Sequence, residues 1–179
     1  MTHQLEMKSF DLQVRGTLHP KLENQCQVIV EVKASGLNFA DIYMRQGLTR
    51  ETSPPFIMGL ECSGIITEVG LEVTKLKVFY LSIYNSIKSF LLFYLFDFWQ
   101  KRDRVLVHTG KHGLHSETVC VEAEDCFLIP EEMSWEDAAA FPINYLTAYF
   151  CLFDIGNLRS RQTVLIPSAA GNYFNVSII

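Results

Sequence analysis

Three hydrogen-bonding side chains, Asn38, Asp41 and Tyr43, lie within the stretch "NFADIY", directly after a predicted strand. Amide, carboxylate and phenol groups at this spacing suit a polar ligand. The same residue types are also common as helix caps and turn formers, because their short side chains bond nearby backbone groups. Ligand binding and a plain cap-and-turn role therefore both stay open for this stretch.

Residues that could bind a metal or act as a nucleophile occur at two further places. The stretch "HTGKHGLH" brings His108, His112 and His115 close together in sequence, which suits a metal, but loop histidines need not converge and can be solvated. In "GLECSG", Glu61 lies beside Cys62, yet no adjacent histidine completes a metal site or a general-base pair. We therefore predict no metal site, and the residues alone assign no catalytic side chain.

Small residues end the apolar run "QTVLIPSAAG", where a strand of a parallel sheet would turn into a helix. Small side chains at such a turn let backbone amides approach a pyrophosphate, and a following helix N-terminus stabilises the negative charge. Ala169, Ala170 and Gly171 are thus candidates for phosphate binding, with an ordinary turn as the alternative. The glycine pattern is not completed, because "NYFNVSII" follows.

Composition sets limits on the class of protein. The chain has 179 residues, of which 49% are hydrophobic and 20% charged, enough for a packed core. Its formal net charge of −5 gives no general electrostatic reason to bind nucleic acid. The first residues show no apolar signal-peptide region. The five cysteines form no CxxC pair, which favours reduced residues of an intracellular protein over a zinc site.

The predicted elements divide the chain near residue 130. Alternating patterns predict strands at Val28–Val32, in "CSGIITEVG", in "DRVLVHTG" and, as one strand, in "ETVCVEAEDCFLIP", with a short helical turn in "DIYMRQGL" closed by Gly47. After Pro130, Ser134 and Asp137 resemble a capping box, "WEDAAAF" predicts a helix ended by Pro142, and "INYLTAYFCLFDIG" predicts a second helix. A strand in "QTVLIP" then begins an α/β unit.

Four of these stretches together resemble a known family. They are "VKASGLNFADIYMRQGL", "PPFIMGLECSGIITEVG", "DRVLVHTG" and "IPEEMSWEDAAAFPINYLTAYFCLFDIGNL". They are similar to the quinone oxidoreductase branch of the medium-chain dehydrogenases/reductases. Within it, "NYLTAYFCLFDIGNL" is similar to the vesicle amine transport protein family, relatives of zeta-crystallin. The resemblance covers roughly residues 26–77 and 101–171.

The resemblance implies a β-rich GroES-like domain, a partly open barrel, at residues 1–130. Residues 131–179 would be the first helices and strand of a Rossmann domain that is truncated here. The implied activity is zinc-independent hydride transfer from NADPH to a quinone or enone, with the cofactor carrying the reaction. The family is compatible with a cytoplasmic location, peripheral association with vesicle or mitochondrial membranes, and a homodimer. A non-catalytic, membrane-associated protein that retains the fold is the alternative.

Site residues follow from the same resemblance. Asn38 and Tyr43 match the polar pair beside the nicotinamide, and Thr147 matches a helix residue at the same face. Ala169, Ala170 and Gly171 match the start of the phosphate loop. Zinc-dependent relatives carry cysteine where this chain has Asn38 and a Gly-His-Glu motif where it has "GLE". The resemblance therefore argues against catalytic zinc, since Leu60 stands in the place of that histidine.

An aromatic stretch, residues 78–100, departs from the family, which needs only about two residues there. Removing it leaves "VTKLK" joined to "KRDRVLV" in the family register, so we interpret it as an insertion. Codons that fit splice sites at both ends, and after Gly171, suggest unspliced introns. A membrane-spanning helix over Val78–Phe96 is the rival interpretation, although Lys88 would lie near the bilayer centre at a cost of roughly 2.5–3.5 kcal/mol. Such a span would also separate two strands of one barrel.

Overall fold

The computed structural model describes residues 12–49, 55–73 and 102–165. These residues form a five-stranded sheet, two helices and one short 3₁₀ turn, Ala123–Asp125. The strands are β1 (Gln27–Ser35), β2 (Glu61–Val69), β3 (Arg104–His108), β4 (Thr118–Glu122) and β5 (Cys126–Leu128). The helices are α1 (Phe39–Arg45) and α2 (Trp135–Ile155).

The sheet is antiparallel throughout, with the strand order β4-β1-β2-β3-β5. Its register pairs Val28 of β1 with Val121 of β4, and Glu61 at the start of β2 with His108 at the end of β3. Within the described residues β4 and β5 are edge strands that do not pair with each other. The predicted β-rich, partly open barrel of the GroES type is therefore confirmed.

The two faces of the sheet are buried by different partners. Because side chains alternate along a strand, Val105 and Val107 of β3 face one side and Leu106 the other. The first side holds the larger core, built mainly from valines of β1, β3 and β4 together with Cys62, Ile66 and Cys126. On the second side Leu106 packs with Ala138 of α2, so α2 covers the back of the sheet.

The start of α2 is fixed to the sheet by polar contacts. Ser134 Oγ accepts a hydrogen bond from the backbone N–H of Asp137 at 3.0 Å, which confirms the Ser134 half of the predicted capping box. Arg104 Nη2 donates to Met133 O at 2.6 Å, and its guanidinium lies 4.1 Å from the ring centre of Trp135. Ser63 Oγ on β2 donates to Trp135 O at 2.6 Å. The helix therefore enters the fold at a defined point above β2 and β3.

Most strand and turn predictions are confirmed, and two need correction. The predicted single strand in "ETVCVEAEDCFLIP" is divided into β4 and β5, because the 3₁₀ turn moves the chain from one edge of the sheet to the other. Gly47 adopts φ 68°, a left-handed conformation suited to closing α1. Residues 162–165 of the predicted strand "QTVLIP" form no strand, and the rest of that stretch lies outside the described residues.

The prediction that Pro142 ends a helix is wrong. Trp135–Ile155 is one helix of 21 residues, and Pro142 lies inside a π-helical turn, Phe141–Tyr145. A proline cannot donate its own backbone hydrogen bond and crowds the preceding turn of an α-helix. A wider turn with i→i+5 bonding relieves that conflict without ending the helix. A second π-helical segment, Phe150–Ile155, completes α2.

We expect Gly64→Ala to destabilise the fold and Gly110→Ala to leave it nearly unchanged. A Cβ at Gly64 would lie 2.2 Å from the backbone oxygen of Glu31 on the paired strand, whereas nothing lies within 4 Å of one at Gly110. Overpacking of this kind costs about 1–3 kcal/mol, and a neutral surface change stays within about 0.5 kcal/mol. Urea unfolding followed by far-UV circular dichroism measures both. Equal stabilities for the two variants would contradict the close approach of β1 and β2.

Candidate functional site

The site is built around the carboxylate of Glu61, the first residue of β2, which is 0% exposed. Its Oε1 accepts a hydrogen bond from Asn38 Nδ2 at 2.8 Å. Its Oε2 accepts one from the backbone N–H of Ile143 at 2.8 Å. Asn38 precedes α1 and Ile143 lies in the π-helical turn of α2. One side chain therefore links β2 to both helices.

A second carboxylate fixes the start of α1. Asp41 is 2% exposed, and its Oδ2 accepts from the backbone N–H of Asn38 at 2.8 Å. Its Oδ1 accepts from the backbone N–H of Gly59 at 3.2 Å, in the segment that leads into β2. The cap-and-turn interpretation of this stretch is thus confirmed for Asp41. The same contacts hold Asn38 in position to reach Glu61.

Gly36 makes room for this arrangement. A Cβ there would lie 2.3 Å from Glu61 Oε1, so a side chain at position 36 would displace the carboxylate. The backbone around it is also bonded: Gly36 N–H and Ser35 Oγ both donate to Glu61 O, at 3.2 and 3.0 Å. The close approach of β1 to Glu61 therefore depends on glycine.

Burial raises the pKa of Glu61 above its ordinary value of 4.5, because the charged form loses hydration. The hydrogen bonds from Asn38 and Ile143 and the charge of His108 oppose the rise, and Asp41 adds to it. Burial together with the Glu61 charge raises the pKa of the Cys62 thiol to about 12. A thiol with that pKa is not ionised at neutral pH, so Cys62 is a core residue rather than a nucleophile.

The three histidines do not converge on a common point. His108 Nδ1 lies 3.2 Å from Leu60 O, His112 Nδ1 lies 3.1 Å from Ile57 O, and His115 Nε2 lies 3.0 Å from Gly36 O. Each ring therefore bonds a different backbone carbonyl around the loop. Across residues 12–49, 55–73 and 102–165, no group of three or more His, Cys, Asp or Glu side chains is placed to hold a metal ion.

The residues predicted to face a nicotinamide differ in their surroundings. Asn38 is 8% exposed, and its amide nitrogen is occupied by Glu61. Tyr43 is 49% exposed and Thr147 is also exposed, so both side chains are accessible from solvent. Ala169, Ala170 and Gly171 lie outside the described residues. The structure joins the Asn38 segment and the Thr147 helix through Glu61, and the cofactor contacts themselves stay a prediction.

Two features of the site were missed from the sequence. The backbone N–H of Ile143 became part of the site only through its contact with Glu61. Asn144, next to it, is 7% exposed, and its Oδ1 has no hydrogen-bond partner among the described residues, while its Nδ2 lies 3.4 Å from Ala140 O. A polar residue two positions after Pro142 in an apolar helix was the available signal.

We expect the stability difference between the wild-type chain and Glu61→Gln to fall as pH rises above 4.5. The folded state binds the Glu61 proton more tightly than the unfolded chain does, because burial raises the pKa of this carboxyl. The stability contributed by that proton is present below pH 4.5 and is lost as pH rises through the folded-state pKa. Urea unfolding at several pH values between 4 and 8 measures the difference.

The exposed Glu68→Gln on the same strand controls for the change in net charge. The raised pKa of Asp125, also caused mainly by burial, acts equally in wild type and variant and cancels in the difference. A difference that stays flat or grows with pH would contradict the direction stated for Glu61.

Known proteins are similar to this chain in sequence and in fold. The family profile of the alcohol dehydrogenase GroES-like domain matches residues 24–131. The synaptic vesicle membrane protein VAT-1 homolog of Danio rerio is 46% identical over 146 residues, which are 81% of this chain and 25% of that protein. The Homo sapiens VAT-1 homolog is 38% identical over 146 residues, which are 81% of this chain and 31% of that protein. The chain thus spans about a quarter to a third of these relatives.

Solved structures give the same relationship. The human VAT-1 homolog-like protein superposes with a TM-score of 0.71 at 32% identity, covering 89% of this chain and 44% of that chain. The Escherichia coli quinone oxidoreductase complexed with NADPH gives a TM-score of 0.61 at 28% identity, covering 78% and 36%. The CurK enoyl reductase gives a TM-score of 0.71 at 25% identity, covering 91% of this chain and 45% of that chain.

The profile covers more than half of the chain, and the described sheet agrees with the fold of these relatives. The protein belongs to the alcohol dehydrogenase GroES-like family, in the quinone oxidoreductase branch of the medium-chain dehydrogenases/reductases that includes the VAT-1 homologs.

Proposed function

We propose that the whole protein to which these residues belong is an NADPH-dependent, zinc-independent oxidoreductase that transfers hydride to a quinone or enone. The observation that carries the proposal is a pair of exposed side chains that bear hydroxyls, Tyr43 on α1 and Thr147 on α2, on two segments joined by Glu61. These are the positions where the family resemblance expects a nicotinamide. The quinone oxidoreductase and enoyl reductase among the similar structures support this class of reaction.

In this proposal the cofactor supplies the hydride and the chain orients it. Tyr43 and Thr147 offer hydroxyls that can donate or accept, and Asn144 Oδ1 offers a buried acceptor. Zinc is not required, because Leu60 has no ligand atom and Asn38 Nδ2 already donates to Glu61. Ala169, Ala170 and Gly171 would contribute backbone amides to the cofactor phosphates. The division into a GroES-like domain at 1–130 and a Rossmann segment at 131–179 belongs to the same proposal.

A non-catalytic, membrane-associated protein with the same fold is the second candidate. Within the described residues α2 is long and apolar enough to cross a membrane by length and composition, as core helices of soluble proteins also are. It exposes Phe150, Phe153 and Ile155, which are 45%, 47% and 81% exposed. The predicted aromatic segment 78–100 lies outside the described residues. The exposed apolar end of α2 would serve peripheral association of a cytoplasmic protein or homodimer contacts in the whole protein.

For the whole protein we expect NADPH oxidation that depends on a quinone or enone and survives removal of metal. The full-length product of the spliced transcript is assayed at 340 nm with a panel of quinones and enones, before and after chelation. Tyr43→Phe should reduce kcat/KM by about 10-fold or more if its hydroxyl positions the nicotinamide ring or substrate, as lost polar contacts of this kind do. Absence of turnover across the panel would favour the membrane-associated alternative.

For the 179-residue chain alone we expect no saturable NADPH binding at micromolar concentrations and no turnover. Most of a dinucleotide's affinity comes from its pyrophosphate held at a glycine-rich turn and a helix N-terminus. The stretch "NYFNVSII" after Gly171 does not complete the glycine pattern of that turn. Titration by NADPH fluorescence measures the binding, and saturation in the micromolar range would show that the phosphate anchor is dispensable.

A further inference from the structure

We propose that Glu61 is a positioning residue that sets the placement of the Asn38–Tyr43 segment relative to the helix turn before Thr147. The inference deepens the proposed function and rests on it for the identity of the ligand. The positional part stands on contacts of the described residues alone. Glu61 does not face the ligand itself, because it is 0% exposed and both carboxylate oxygens are occupied.

The first step is the match between acceptors and donors. A carboxylate offers two acceptor oxygens and no donor when ionised. Its two partners, Asn38 Nδ2 and the Ile143 N–H, are both donors and both lie 2.8 Å away. Each bond reaches a different element, one before α1 and one inside α2. A group with a single acceptor in this place could hold only one of the two.

The second step concerns the direction in which Thr147 points. In a regular α-helix the N–H of Ile143 would be directed at the carbonyl of Ala139, whereas here it donates to Glu61 Oε2. The contact falls within the π-helical turn Phe141–Tyr145. A π turn adds a residue to one turn and therefore rotates everything after it about the helix axis. Thr147 lies four residues after Ile143, so the π turn sets the direction in which Thr147 points from the helix.

The third step concerns the cost of losing the link. Glu61 and Asn38 are 0% and 8% exposed, and Ile143 is half-buried. A buried polar group that loses its partner pays its desolvation cost, so the bond between Asn38 and Glu61 is favoured over solvent. Gly36 leaves the room that the carboxylate occupies, since a Cβ there would lie 2.3 Å from Glu61 Oε1.

The test uses Glu61→Gln and the double variant Asn38→Asp/Glu61→Gln in the 179-residue chain. The amide at position 61 has one acceptor oxygen and one NH₂ donor group. Its NH₂ therefore faces another donor, either Asn38 Nδ2 or the Ile143 N–H, and one of the two hydrogen bonds is lost. In the double variant the new carboxylate at position 38 accepts a hydrogen bond from the amide NH₂ at position 61. The amide oxygen at position 61 then accepts from the backbone N–H of Ile143. Volume and the number of buried carboxyls are then restored. Glu68→Gln, exposed on the same strand, is the matched control.

Amide hydrogen exchange by NMR reads the contact directly. We expect the Ile143 amide to be protected in wild type, to exchange about 10-fold faster or more in Glu61→Gln, and to regain protection in the double variant. If Glu61→Gln does not fold, the protection of the Ile143 amide is compared between the wild type and the double variant. An unprotected Ile143 in wild type, or unchanged exchange in a folded Glu61→Gln, would overturn the proposal.

Chemical-shift mapping with reduced nicotinamide mononucleotide at millimolar concentration reads the consequence for a ligand. Wild type and Glu68→Gln should show shifts at both Tyr43 and Thr147, Glu61→Gln should lose the joint response, and the double variant should restore it. No response in wild type would count against the nicotinamide assignment, and the exchange result would still decide the positional role. Joint shifts that persist in Glu61→Gln would overturn that role.

Discussion

Burial of one carboxylate that is hydrogen-bonded by neutral donors is the constraint on which the arrangement of this structure depends. Glu61 is 0% exposed, and its two hydrogen bonds in the described residues come from neutral donors, an amide side chain and a backbone N–H. Leaving such a group without donors would cost several kcal/mol. The loop before α1, the glycine at position 36 and the turn in α2 all have the geometry that meets this requirement.

The same residues join three elements of the fold through hydrogen bonds. Zinc-dependent relatives, by the family resemblance, gather cysteine and histidine ligands where this chain has Asn38 and Leu60. Here Asn38 instead bonds Glu61, and Asp41 bonds the backbone at Asn38 and Gly59. Hydrogen bonds to two buried carboxylates thus join β2, α1 and α2 at one point. This kind of link is directional, because a hydrogen bond weakens steeply when its geometry departs from linear.

The surroundings of helix α2 change along its length. Ala138 packs against Leu106 and closes the back of the sheet, while Phe150, Phe153 and Ile155 further along are exposed. Apolar side chains in such a row are normally covered by another part of a protein, a partner or a lipid surface. The chain spans 25% and 31% of the Danio rerio and Homo sapiens VAT-1 homologs, which are longer proteins with more chain to pack.

The sequence by itself determined most of the strands, the cap at Ser134 and the family, because these depend on alternation, on local hydrogen bonds and on recognisable stretches such as "NYLTAYFCLFDIGNL". It also named Asn38 as a candidate site residue, and it assigned no role to Glu61. Only the tertiary structure decided that Pro142 does not end its helix and that Ile143 belongs to the site. The reason is distance along the chain: the bond from Ile143 to Glu61 joins residues 82 positions apart, and no local pattern encodes such a partner.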